Sequence, residues 1–137
     1  AAPAVGPPAT ASETFSTARQ AMMAGDYAAA EAGFQDYVSR YGDGPKAAEA
    51  RYWLGKAQTQ RGGWAEAAGS FIGAIRGWPQ TSWAPDAVVE LSRALIQMKK
   101  PADACQTLAE FARRYPNAPA AVQSRARSAA IQAKCAA

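Results

Sequence analysis

The chain has 137 residues, with 15 Lys and Arg against 11 Asp and Glu, a net charge of +4 and no histidine. That length suits one compact domain. The mild basic excess is scattered, with Lys99-Lys100 and Arg113-Arg114 as its only adjacent pairs, so it lacks the dense basic face that nucleic-acid binding requires. The lack of histidine removes every His-dependent triad, dyad and metal centre and leaves Cys105 and Cys135 with no imidazole to activate them.

Ala1 to Thr10 are Ala, Pro, Gly, Val and Thr only and read as a flexible linker. No charged start leads into an apolar core, so a signal peptide is absent or already removed, and the chain reads as the C-terminal part of something longer. No stretch of about 18 apolar residues exists to cross a membrane. From residue 11 onward alanine is abundant and β-branched residues are sparse, which favours helix. Seven helices are expected, over about 11–24, 27–41, 46–61, 64–77, 84–99, 101–115 and 119–134. Gly25-Asp26, Gly62-Gly63 and Lys99-Lys100 punctuate them as turns. The last helix, with Ala121, Val122, Ala126 and Ile131 as its apolar set, is expected to cap the stack.

The chain repeats itself with a period of 37 residues. Ala30, Ala67 and Ala104 are equivalent, as are Phe34, Phe71 and Leu108, and so are Arg40-Tyr41-Gly42, Gly77-Trp78-Pro79 and Arg114-Tyr115-Pro116. Leu54-Gly55, Ala67, Phe71 and Pro79 in the second copy, and Leu91-Ser92, Ala104, Leu108 and Pro116 in the third, resemble the tetratricopeptide repeat. The first copy is degenerate, with Thr17-Ala18 for Leu-Gly and Gly42 for Pro. The resemblance implies an all-α helical solenoid of three helix-turn-helix repeats, about 11–44, 45–82 and 83–118, closed by a capping helix. Aligned blocks of this kind argue against a plain four-helix bundle. The acidic residues are spaced as helix surfaces rather than as paired acids and bases, and no phosphate-binding loop occurs. The chain is therefore expected to be a protein-binding scaffold without enzymatic activity, metal or cofactor.

In such a stack the first helices of the repeats line the concave face. Arg19, Lys56 and Arg93 form a basic column, Phe15, Tyr52 and Val89 an apolar one, and Ser16, Trp53 and Glu90 a third. Basic and aromatic stripes side by side would hold a peptide carrying acidic and apolar residues. The competing reading packs Phe15, Tyr52 and Val89 against neighbouring helices. Trp53 is expected to be partly exposed, and Trp83 to cover the joint between the second and third repeats. Asp86 and Glu90 stand where a carboxylate clamp would want basic residues.

Ala50-Arg51-Tyr52-Trp53-Leu54-Gly55, Trp78-Pro79, Ala84-Pro85-Asp86-Ala87, Ala104-Cys105-Gln106-Thr107-Leu108 and Arg114-Tyr115-Pro116-Asn117-Ala118 are together similar to the C-terminal repeat domain of the Tol-Pal system YbgF (CpoB) family of cell-division coordinators. That resemblance implies a periplasmic location, an oligomerising N-terminal coiled coil and binding to TolA. It also implies a role in coupling peptidoglycan synthesis to outer-membrane constriction. An adaptor in outer-membrane protein or lipoprotein assembly is the alternative. In an oxidising periplasm Cys105 and Cys135 would form a disulfide. Straight antiparallel helices would set Cys105 opposite about residue 129, so the tail would have to end its helix and fold back to bring Cys135 to it.

Overall fold

The structure, a computed structural model, describes residues 9–136; the expected linker lies outside the described residues except for Ala9 and Thr10, which are non-helical and exposed. Seven helices follow: α1 (Ala11–Met23), α2 (Tyr27–Tyr41), α3 (Ala47–Gln60), α4 (Trp64–Ala74), α5 (Ala84–Gln97), α6 (Pro101–Arg114) and α7 (Ala120–Ala133). Among the described residues there is no strand.

The helix starts have local causes. The Thr10 hydroxyl accepts the Glu13 N–H at 3.1 Å and donates back to the Glu13 carboxylate at 3.0 Å, a reciprocal cap. Asp26 accepts the Ala29 N–H at 3.2 Å. Pro85 and Pro101 sit in the first turn of α5 and α6, where a missing N–H costs nothing.

The ends of α1, α3, α5 and α7 share one device. Gly25, Gly62, Lys99 and Lys134 adopt left-handed φ of 80°, 77°, 62° and 59°. In each case the following N–H reaches back five residues, as Asp26 to Ala21, Gly63 to Gln58, Lys100 to Leu95 and Cys135 to Ala130, at 2.9–3.0 Å. This is the Schellman closure. It recurs at the repeat period three times and then once more at the end of α7, so the capping helix ends in the same way as the first helix of each repeat. α4 ends at Ala74, short of the expected residue 77, because Gly77 and Trp78 both take positive φ and turn the chain into Pro79.

Helices pack in sequence order. Ala30, Ala67 and Ala104 are fully buried, and Phe34 and Phe71 fill the space beside the first two. In the second repeat the approach is close: a Cβ added to Gly55 would lie 2.6 Å from the Phe71 ring. The apolar residues form two clusters, Phe15, Phe34, Tyr37 and Leu54 in one, and Phe71, Val88, Val89, Leu91 and Phe111 in the other. Trp53 packs against both. Stability is therefore distributed along the stack, as expected for a solenoid.

The cap differs in detail from expectation. Its buried stripe is Val122, Ala126, Ala129 and Ala133, whereas Ala121 and Ile131 are exposed, Ile131 to 78%. Nine residues at about 100° each carry Ile131 to the opposite side of the helix from Val122. Cys105 and Cys135 are bonded, with their Cα atoms 5.5 Å apart. The fold-back this requires is supplied by Lys134, whose left-handed backbone ends α7 one residue before Cys135.

Candidate protein-binding groove

The first helices touch in succession, α1 against α3, α3 against α5 and α5 against α7. The three expected columns separate by burial. Phe15 is 4% exposed, Tyr52 6% and Val89 0%, so this column is core and offers no apolar stripe to a partner. Each is held by its neighbours: Phe15 meets Phe34 and Tyr37 edge-on with ring centroids 5.5 Å apart, and Tyr52 stacks on Trp83 at 5.5 Å. Trp83 thus covers the joint between the second and third repeats. These positions point between adjacent helices rather than out of the groove, which the 37-residue register does not distinguish.

Trp53 is half-buried. It lies parallel to Phe34 at 6.4 Å, donates its indole N–H to Glu49 at 3.2 Å, and has the Arg19 guanidinium 5.9 Å from its ring centre. The structure therefore joins Trp53 and Arg19 in one surface patch.

The basic column divides as well. Lys56 on α3 donates to Asp86 on α5 at 3.2 Å, the Tyr52 hydroxyl donates to the same oxygen at 2.6 Å, and Arg125 on α7 bonds the other oxygen. Sequence reasoning missed Asp86 as an organising residue and did not consider Arg125. The available signal was a lone acid in the first turn of the helix that sits between two others. Burial pushes the Asp86 carboxyl up, but the Lys56 charge, the Tyr52 hydrogen bond and the Arg125 charge outweigh it and hold the group below the ordinary carboxylate range. Burial, and then the hydrogen bond and charge of Asp86, raise the Tyr52 phenol far above its usual value. Arg93 bonds the buried Glu90 at 2.9 Å. Of the three expected groove cations, only Arg19 forms no ion pair among the described residues.

Among the described residues no group of His, Cys, Asp and Glu is arranged to hold a metal ion, and no helix is long and apolar enough to cross a membrane. No curated protein matches the chain. Two family models do, both described as tetratricopeptide repeat, over residues 15–81 and 86–118. Proteins built from these repeats are generally non-catalytic scaffolds that bind other proteins. The seven helices, the 37-residue register and these two matches make the chain a member of the tetratricopeptide-repeat family, a protein–protein interaction module.

Proposed function

We propose that this domain is a periplasmic scaffold of the Tol-Pal and cell-division machinery, binding TolA and helping to coordinate peptidoglycan synthesis with outer-membrane constriction. The strings around Trp53, Trp78-Pro79, Pro85-Asp86 and Tyr115-Pro116 support the reading through their similarity to the YbgF (CpoB) family. The Cys105–Cys135 bond supports the compartment, because such bonds persist where the surroundings are oxidising. In this reading the domain is a monomer, and the longer protein oligomerises through an N-terminal coiled coil.

The observation that carries the reading is the patch of Arg19 and Trp53 on the groove face, an aromatic anchor beside a cation that has no carboxylate partner among the described residues. Aromatic and Arg residues are the side chains on which binding energy concentrates. The test is calorimetric titration of the domain with purified TolA domains. Trp53→Ala is expected to weaken binding by about tenfold or more, the cost of losing such an anchor, while the helical circular dichroism stays unchanged. No heat on mixing would sink the TolA assignment. Binding to outer-membrane protein or lipoprotein assembly factors, with none to TolA, would select the adaptor alternative.

A further inference from the structure

We infer that the α1 end of the groove is a carboxylate-binding pocket that takes an Asp or Glu side chain from the partner's segment. The inference rests on the reading of the groove as the binding face. Between α1, the end of α2 and the start of α3 lies a cavity of about 400 Å3, lined by Ser12, Phe15, Ser16, Arg19, Tyr37 and Lys46 among others. That space accommodates a side chain with its flanking backbone.

Its charge is one-sided. Arg19 and Lys46 are exposed, and neither forms an ion pair among the described residues. None of the acids nearby in sequence pairs with either cation. Glu13 accepts from the Thr10 hydroxyl, and Glu49 accepts from the Trp53 indole. Asp43 lines a different recess, with Arg51 and Arg76. Both pocket cations rest on aromatic rings, Lys46 4.8 Å from the Phe15 centre and Arg19 5.9 Å from that of Trp53. Such contacts keep the long side chains close to the surface and leave their N–H groups facing outward. The Ser12 and Ser16 hydroxyls, one helical turn apart on α1 and exposed, add neutral donors. Lys46 is moreover the N-cap residue of α3, a helix start with no side-chain cap, which adds the positive end of a helix dipole.

Elsewhere in the groove each cation already has an acid: Lys56 and Arg125 share Asp86, and Arg93 has Glu90. A partner carboxylate placed there would have to displace an internal one. At the α1 end it displaces only water. The groove therefore has a direction, with the acidic part of a ligand at α1 and its apolar part passing Trp53.

The test uses a dodecapeptide of alternating glutamate and leucine, acetylated and amidated so that its only carboxylates are side chains, titrated into 15N-labelled protein. Amide shift changes centred on Ser12 to Arg19 and on Lys46 are expected. Arg19→Gln and Lys46→Gln should each weaken binding about tenfold, as for loss of a charge-assisted hydrogen bond, with unchanged thermal unfolding. Arg113→Gln, at an exposed position on α6 outside the groove, should leave the affinity unaltered. The glutamine counterpart of the peptide should not bind. Shifts centred on Arg93 and Arg125, or full binding by both glutamine variants, would overturn the pocket while leaving the groove reading intact. Equal binding of a peptide whose only carboxylate is its C-terminus would overturn the side-chain assignment. Failure of TolA to bind, with the acidic peptide still held at α1, would sink the partner and not the pocket.

Discussion

Single residues at the ends of the first helices set the repeat's register. Gly25 and Gly62 occupy left-handed backbone at little cost, but Lys99 and Lys134 carry a Cβ into the same region. Such strain is worth about 1–2 kcal/mol per L-residue. Lys99→Gly is therefore expected to stabilise the protein by about 1 kcal/mol, once the greater chain entropy that glycine brings to the unfolded state is subtracted. A rise of a few degrees in the melting temperature by circular dichroism would register it; a fall would show that the Lys99 side chain makes a contribution beyond its backbone. Seven residues before these four positions stand Ala18, Gly55, Ser92 and Arg127. The first three are the small residues against which a second helix closes, as Gly55 does on Phe71. Arg127, at the equivalent place in α7, is instead an exposed side chain.

The helices differ in how many of their faces are covered, and the difference follows from place in the stack. α3 and α5 lie between neighbours, and α5 buries ten of its residues, including Asp86 and Glu90. α1 buries Thr14, Phe15 and Ala18 toward α2 and leaves Glu13, Thr17 and Gln20 exposed. α7 does the reverse, burying Val122, Ala126 and Ala129 toward the preceding repeat. With only one face packed, α7 depends on its covalent tie. Replacing Cys105 and Cys135 by serine is expected to cost about 3–4 kcal/mol, the chain-entropy value for a bond closing a loop of this length. Amide exchange should locate the loss in residues 120–133, and uniform loss along the chain would contradict the local picture. The helices and their order were legible in the sequence because alanine content, caps and the 37-residue period all act locally. The direction of individual side chains was not. Phe15, Tyr52 and Val89 stand one and four positions before the residues of the other two columns, and Ile131 looked apolar enough to be inside. Which way each turns depends on the crossing of neighbouring helices, a non-local property.

At the scale of the whole molecule, two apolar clusters meet at α3, and the concave side carries a polar knot of its own. Asp86 ties α3 to α5 through Lys56 and Tyr52, and α5 to α7 through Arg125, while Glu90 on the same helix is bonded to Arg93. Because the Asp86 carboxyl is held below its ordinary range, its contribution is present in full above the unfolded-state value of about 3.9. It is lost as pH falls through the lower folded-state value. Asp86→Asn is expected to cost about 1.5–3 kcal/mol at neutral pH, the worth of hydrogen bonds to a charged group, and to flatten the acid side of the stability profile measured by urea unfolding. An unchanged acid limb would assign that limb to other carboxylates. The knot has a further consequence for shape. It lies on the inner side of the curve while the large rings lie between the helices, so it acts as a tension member across three successive first helices. Protonating Asp86 slackens that member without touching the apolar packing, and the superhelix should then open to a larger radius before it melts. Small-angle scattering taken down the acid limb would record the opening as an increase in radius of gyration at constant helix content.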